Sequence, residues 1–137
     1  PESPDLAHDA RVLKFKQDAG ASFAVTQLFF SLDAYLDLIK TAEAAGATLP
    51  IVPGLMPVAN AKQVLRMAEL SGAEVPLDLL NRIESAPDEE KARQIGMQFT
   101  IDLAKELLAA GAPGIHIFSL NTHVAALELA RGAGLCL

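Results

Sequence analysis

The chain has 137 residues, of which 51% are hydrophobic and 20% are charged, and its net charge is −6. This composition excludes a disordered chain and fits one globular domain with a buried core, spanning residues 1–137. The sequence contains no apolar run long enough for a transmembrane helix and no basic patch for nucleic acid, so neither a membrane nor nucleic acid is an expected partner.

The two ends of the sequence bear on cellular location. Residues 1–5 (PESPD) carry acids where a signal peptide has a basic segment, so no signal peptide is predicted. Cys136 is the only cysteine, cannot form an internal disulfide and is interpreted as an inert thiol. A cytoplasmic location is therefore expected. Because the sequence begins at Pro1 rather than at methionine, we interpret it as a processed chain or a fragment, and the elements below favour a fragment.

Three glycines divide the chain in a repeating way. Gly20, Gly46 and Gly111 each close an apolar-periodic stretch and are predicted to follow a helix, where a left-handed backbone is needed. Each is followed by a short, continuous apolar run, which is typical of a strand covered on both faces in a parallel sheet. The predicted strands lie within residues 22–30 (SFAVTQLFF), 49–55 (LPIVPGL) and 114–120 (GIHIFSL).

Helical periodicity fills the other segments, and polar residues suited to helix capping precede several of them. The first predicted helix carries Leu6, Ala10, Leu13 and Gln17, and the second follows a Ser31 cap with Leu32, Tyr35, Leu36 and Ile39 on one face. The third follows an Asn60 cap with Val64, Leu65 and Ala68 on its inner face, and a short fourth helix spans 76–84 with Pro76 in its first turn. A long fifth helix starts near residues 88–90 and carries Ala92, Ile95, Phe99, Leu103 and Leu107, and the last is capped by Asn121 or Thr122 and carries Val124, Leu127 and Ala130.

Strands that alternate with helices indicate βα units and a parallel sheet. A complete (β/α)8 TIM barrel takes about 250 residues, so a chain of this length holds roughly half of one. The first helix has no strand before it, as expected of a chain cut just after a strand. The predicted fold class is therefore α/β: the C-terminal part of a (β/α)8 TIM barrel with parallel strands, incomplete in this chain.

In such folds the functional groups cluster at the carboxyl ends of the strands. Gln27 lies there in an otherwise apolar strand, where its amide either bonds to neighbouring backbone or water, or contacts a heteroaromatic ligand. Pro53 and Gly54 are interpreted as a structural turn in which the glycine permits close approach. His116 lies inside the third strand, where an isolated histidine is more often a core residue than a base or ligand. The spacing of the three histidines predicts no metal site.

Several phrases along the chain occur in the order and spacing of one family. They are DAGA at 18–21, TQLFF at 26–30, PIVPGLMP at 50–57, and His116 followed by residues 120–121 (LN). Together they resemble the C-terminal half of methylenetetrahydrofolate reductase, the flavin-dependent (β/α)8 barrel of one-carbon metabolism, and the resemblance covers essentially the whole chain.

This resemblance implies an activity, a cofactor and partners. NAD(P)H reduces FAD, and reduced FAD reduces 5,10-methylenetetrahydrofolate to 5-methyltetrahydrofolate, a step of methionine biosynthesis. Methylenetetrahydrofolate and NAD(P)H are thus the expected partners, with a homo-oligomer left open. The general acid and the aspartate near the flavin ring belong to the N-terminal half of the family barrel, so no catalytic residue is expected in this chain, and the isolated chain is expected to be inactive.

The resemblance also implies site residues. Gln27 matches the glutamine that contacts the pterin of folate, and Gln63 matches a second glutamine near the folate or nicotinamide. Asp9 and Lys16 match positions on the nucleotide side of the flavin, where the lysine could meet a pyrophosphate oxygen as a point charge. Other positions depart from well-known members of the family: Val12, Phe15, Met67, Phe118 and Thr122.

Two other functions stay open at this point. A non-catalytic half-barrel could bind folate or a partner without turnover. A small α/β signalling domain is the third reading, but it would carry clustered acids and a lysine at the strand ends, where this sequence has amide and apolar residues.

Overall fold

The computed structural model describes residues 5–121 and 123–135, which form three strands and six helices. The order of elements is the one predicted, although the strands are shorter than the apolar runs that contain them. The elements are α1 (Leu6–Asp18), β1 (Ala24–Leu28), α2 (Leu32–Ala44), β2 (Ile51–Leu55), α3 (Ala61–Ser71), α4 (Leu77–Glu84), α5 (Glu89–Ala109), β3 (His116–Ile117) and α6 (His123–Gly132).

The strands form one parallel sheet in chain order, β1-β2-β3. This arrangement confirms the predicted α/β class and parallel pairing. Among the described residues the strand order is sequential, as consecutive βα units produce. Within the described residues β1 and β3 are the edges of the sheet.

Helix boundaries follow the predicted local chemistry. The Ser31 and Asn60 side chains accept hydrogen bonds from Ala34 N and Gln63 N, at 3.3 and 2.8 Å, so both predicted caps are confirmed. The three glycines that were predicted to follow helices have positive φ angles of 101°, 81° and 96°, as their left-handed position requires. Pro76 is the exception, because it is the N-cap of α4 rather than a first-turn residue. The alternative cap Thr122 lies outside the described residues.

Two apolar clusters form the core. The larger one packs α2, α5 and α6 against one face of the sheet, where Tyr35 donates a hydrogen bond from its hydroxyl to Ile51 O at 2.9 Å. Burial raises the pKa of the Tyr35 hydroxyl. The second cluster holds Leu28 and Phe30 against α3 and α4, just beyond the carboxyl ends of the strands. The two clusters therefore cover one face of the sheet and the carboxyl ends of its strands.

Several residues predicted on inner faces are exposed, although other residues of the same faces are buried as predicted. In α3 the predicted Val64 is buried but Leu65 is 48% exposed, and in α6 the predicted Ala130 is buried but Val124 is 67% exposed. Three further residues placed on inner faces are also exposed: Leu6, Leu36 and Leu127. Periodicity sets the spacing of an apolar stripe, but the direction in which the stripe points depends on which neighbours cover the helix.

A second error concerns burial of the strands. Continuous apolar runs predicted that both faces of each strand are covered, but only the middle strand β2 is mostly buried, whereas β1 and β3 carry exposed residues. Val25 of β1 is 45% exposed, because no described element packs over that face at the edge of the sheet. Among the described residues, no helix has the length and apolar character needed to cross a bilayer.

The start of α5 is tied to α6 by a charged network with a predictable pH response. Arg93 donates two hydrogen bonds of 3.0 Å to Glu90 and one of 2.9 Å to Glu128. The Arg93 bonds, with one from Gln94, lower the pKa of Glu90 from 4.5 to about 2. A lowered pKa in the folded state stabilises the fold above the ordinary pKa and ceases to do so as the pH falls through the lowered one.

Arg93→Ala is therefore expected to reduce the free energy of unfolding above pH 4.5, by an amount that shrinks as the pH falls to about 2. Denaturant titrations across this range measure the effect. Lys91→Ala is the control, since Lys91 lies in the same turn and has no ion pair among the described residues. A deficit for Arg93→Ala that stays constant over the whole range would contradict this account.

Candidate functional site

One face of the sheet is left open by the helices. The strand register places Val25 beside Val52 and Gly54 beside His116 on this face, which we call the open face. Val25 and His116 are exposed, whereas the helices cover the opposite face. In a barrel the face opposite the helices is the one that points to the interior. His116 is exposed among the described residues, so within them it is not the core histidine that was expected.

A β-bulge interrupts β1 where its polar residues lie. Val25 pairs with Val52, but the next pair is Leu28 with Gly54, so β1 contains one extra residue at this point. The Thr26 hydroxyl accepts a hydrogen bond from Gly54 N at 2.9 Å and donates one to Gln27 O at 2.7 Å. Phe29 N donates to Gly54 O at 3.0 Å. Bulges commonly re-aim a side chain next to a functional site.

Gly54 sits inside β2 rather than in a turn, which corrects that prediction. A Cβ atom at this position would lie 2.8 Å from Thr26 O, 2.9 Å from Gln27 O and 2.6 Å from Phe118 Cε2. Glycine is therefore needed for close packing against the bulge, and the predicted close approach is confirmed. Pro53 is tolerated beside it because its nitrogen faces β3, whose pairing starts only at the following residue.

An aromatic pair borders the same point of the open face. The rings of His116 and Phe118 meet edge to face, with 4.6 Å between their centroids. Since the Phe118 ring also limits the space at Gly54, these residues lie next to the Gln27 backbone. The open face thus carries two aromatic rings next to the backbone of Gln27.

A cleft of about 890 Å³ runs along β1 and is bordered by α1, the start of α2 and residues 71–74. Asp9, Lys16 and Gln27 all line it, so the structure brings together three of the four predicted site residues. Lys16 is exposed and has no ion-pair partner in the part of the chain that the structure describes. The cleft also contains the carboxylates of Asp37 and Glu74, so it is polar and carries both signs of charge.

Gln27 is exposed at the bulge near the carboxyl end of β1. Over residues 5–121 and 123–135, no protein group forms a hydrogen bond with its carboxamide, so of the expected structural partners water is left and neighbouring backbone is not used. An amide placed in this way offers both donors and an acceptor to a ligand.

Gln63 does not line the cleft and is engaged locally. Its Oε1 accepts a hydrogen bond from Ala59 N at 2.9 Å, and its Nε2 lies 3.8 Å from Met56 Sδ. Together with the Asn60 cap, this arrangement is close to a capping box at the start of α3. The N-x-x-Q spacing in the sequence was a signal for this structural role.

Gln17, predicted only as part of the periodicity of the first helix, has a structural role in the fold. Its Oε1 accepts hydrogen bonds from Thr48 N at 2.7 Å and Leu49 N at 2.9 Å, which ties the end of α1 to the entrance of β2. A polar residue at an apolar helical position was the available signal. Among the positions that depart from the family, Val12 lines the cleft, Phe15 is exposed and Met67 packs against the second cluster. Thr122 is outside the described residues.

In the described ranges, no three His, Cys, Asp or Glu side chains come together in a way that could hold a metal ion.

The chain is similar to known proteins over nearly its whole length. A family profile described as methylenetetrahydrofolate reductase matches residues 1–134. A probable methylenetetrahydrofolate reductase (NADPH) of Caenorhabditis elegans is 34% identical over 137 residues, and methylenetetrahydrofolate reductase (NADH) 1 of Arabidopsis thaliana is 37% identical over 138 residues. The 5,10-methylenetetrahydrofolate reductase of Escherichia coli is 32% identical over 122 residues.

The matched part is most of this chain but a minority of each relative. It covers 98% of this chain and 21% of the Caenorhabditis protein, 98% and 23% for the Arabidopsis protein, and 88% and 41% for the Escherichia protein. The profile match over 134 residues is decisive for the family, and the resemblance seen in the sequence motifs is confirmed. The chain belongs to the methylenetetrahydrofolate reductase family.

Proposed function

We propose that the chain forms the C-terminal part of a (β/α)8 barrel in a longer protein, which uses FAD and NAD(P)H to reduce 5,10-methylenetetrahydrofolate to 5-methyltetrahydrofolate. The observation that carries the proposal is the position of Gln27. Its amide, without a partner among the described residues, lies near the carboxyl end of β1 in the same cleft as Asp9 and Lys16. The proposal includes both reductants, because one relative is named for NADPH and another for NADH.

Gln27 is proposed to bind the pterin. The edge of a pterin alternates donors and acceptors, and a carboxamide can pair with both kinds at once. The bulge and the close contact at Gly54 hold the Gln27 peptide, so the side chain extends from a fixed backbone position. Such positioning lowers the entropic cost of orienting a substrate.

Lys16 and Asp9 are proposed to bind the nucleotide side of FAD. The cleft suits such a group, because the Lys16 ammonium has no ion-pair partner among the described residues and can attract a pyrophosphate oxygen. The Asp9 carboxylate can accept hydrogen bonds from sugar hydroxyls. When bound, FAD supplies the hydride chemistry, while these residues bind and orient it.

Gln63 is proposed to assist as a donor. Because its Oε1 already accepts from Ala59 N and its Nε2 already donates to Met56 Sδ, the second N–H of its amide is what it can offer to folate or nicotinamide. We assign no general acid to this chain, and we propose that the acid comes from the N-terminal half of the barrel. The proposed setting is methionine biosynthesis in the cytoplasm.

Anaerobic absorbance spectroscopy of the full-length protein tests the proposal. NAD(P)H is expected to bleach the bound flavin, and methylenetetrahydrofolate is expected to restore its colour with formation of 5-methyltetrahydrofolate. Folate that binds without restoring the colour would favour the non-catalytic half-barrel. A protein that binds neither FAD nor folate would overturn both readings.

Lys16→Ala in the full-length protein is expected to weaken FAD retention more than folate affinity, because it removes the one cation described in the cleft. Fluorescence of flavin released during dilution or dialysis measures retention. Lys14→Ala is the matched control, since Lys14 lies on the same helix but pairs with Asp18 outside the cleft. If the Lys16 variant holds FAD as tightly as the control, Lys16 is only a solvated helix charge.

A further inference from the structure

We propose that Thr26 is a positioning residue whose hydroxyl holds the β1 bulge and thereby presents the Gln27 carboxamide to the cleft. This inference rests on the proposed role of Gln27 in folate binding. Thr26 belongs to the TQLFF motif and lines the cleft together with its neighbours, but neither feature gives its hydroxyl a role.

The hydrogen bonds around the bulge show what the hydroxyl replaces. Ala24 N donates to Pro50 O at 2.9 Å, which sets the phase of the parallel ladder between β1 and β2. Continued without interruption, that ladder would direct Gly54 N to the carbonyl of Thr26 and Leu28 N to Gly54 O. Instead, Gly54 N bonds to the Thr26 hydroxyl, and Phe29 N bonds to Gly54 O. The hydroxyl thus takes the place of the carbonyl of its own residue.

The same hydroxyl also holds Gln27 directly. It donates to Gln27 O at 2.7 Å, so one side chain links the extra residue of the bulge to the neighbouring strand. The Thr26 and Gln27 carbonyl oxygens both lie within 3 Å of the position that a Gly54 Cβ would occupy. These contacts leave the Gln27 peptide little freedom.

Two registers compete at this point. In an uninterrupted ladder Gln27 would pair with Gly54, and Leu28 would leave its place in the second cluster, where it is only 5% exposed. Burial of Leu28 and Phe30 opposes that slip. Loss of the hydroxyl is therefore expected to leave the fold in place while Gly54 N and Gln27 O lose their partner. The Gln27 amide would then sample several positions.

The test compares variants of the full-length protein in rapid-mixing kinetics of the two half-reactions. Thr26→Val keeps the shape and removes the hydroxyl, and Thr26→Ser restores the hydroxyl. We expect Thr26→Val to slow reoxidation of the flavin by methylenetetrahydrofolate by about tenfold, as misplacement of a positioning group does, with flavin reduction by NAD(P)H unchanged. Thr26→Ser is expected to behave like wild type. Thr100→Val is the control, because its buried hydroxyl donates to Gly96 O in α5.

A double variant separates positioning from general stability. If Thr26 acts through Gln27, then adding Thr26→Val to Gln27→Glu is expected to cause little further loss. The inference would be overturned if the rate losses of the two single variants multiply in the double variant. It would also be overturned if the serine variant is as slow as the valine variant, or if the valine variant is as fast as wild type. Thr26→Ala replaces the valine variant if that one does not fold, and unfolding of both would show a purely structural role. Wild-type protein whose reduced flavin is not reoxidised by folate would overturn the proposed function itself.

Discussion

Gln27→Glu in the full-length protein is expected to slow the folate half-reaction by tenfold or more, the equivalent of about 1.4 kcal/mol of lost binding or orientation. Glutamate keeps the length of the side chain but loses both N–H donors and adds a negative charge next to the pterin edge. Flavin reduction by NAD(P)H should change less, because nicotinamide offers fewer polar edges. Rapid mixing of each half-reaction separates the two effects.

A second glutamine provides the matched control for this substitution. Gln17→Glu makes the same chemical change on α1, but its oxygen can still accept from Thr48 N and Leu49 N, and Gln17 does not line the cleft. We expect this control to leave the folate half-reaction unchanged. Equal losses in both half-reactions of the Gln27 variant, with a lower melting temperature, would mean that Gln27 is structural.

Gly54→Ala is expected to destabilise the protein by about 3 kcal/mol, at the upper end of what overpacking costs. The new Cβ would approach two backbone oxygens and a phenylalanine ring at 2.6–2.9 Å, and the oxygens cannot move unless the bulge moves with them. We therefore also expect slower reoxidation by folate, because the bulge sets the position of Gln27. Denaturant unfolding of the full-length protein measures the first effect, and rapid mixing measures the second.

Gly114→Ala is the control for Gly54, since nothing lies within 4 Å of its added Cβ and its φ is not positive. Its stability should match wild type or rise slightly, as removal of a glycine restricts the unfolded chain. Combining Gly54→Ala with Phe118→Ala relieves the ring contact but leaves the two carbonyl contacts, so only partial recovery is expected. A Gly54→Ala protein as stable as the Gly114 control would contradict the packing described at the bulge.

Local sequence signals predicted the elements well because their causes are local. Ser31 and Asn60 cap helices through their own backbone neighbours, and Gly46 adopts the left-handed backbone that ends α2. The alternation of helices with apolar runs likewise depends only on spacing, and it predicted a parallel α/β arrangement correctly. The family motifs then placed Gln27, Asp9 and Lys16 as candidates, and the structure brings these three into one cleft.

The features that local sequence signals did not predict depend mostly on partners that are distant in sequence. The bulge arises because Thr26 bonds to Gly54, 28 residues away, and no window around TQLFF contains that glycine. Exposure of Val25 follows from its place at the edge of the sheet rather than from its apolar neighbours. Gln63 shows the opposite case, since its capping signal was visible locally but the family resemblance drew attention to a ligand role instead.

We propose that the open face of this sheet and the cleft beside β1 form the folate and flavin side of a reductase barrel. The most direct test is the distance from the Gln27 carboxamide to the pterin in a crystal structure of the full-length protein with FAD and a folate bound. We predict hydrogen bonds of about 2.7–3.2 Å from this amide to the pterin, with the Lys16 ammonium next to a flavin phosphate. A pterin bound elsewhere, with the open face filled by side chains from the rest of the barrel, would contradict the account.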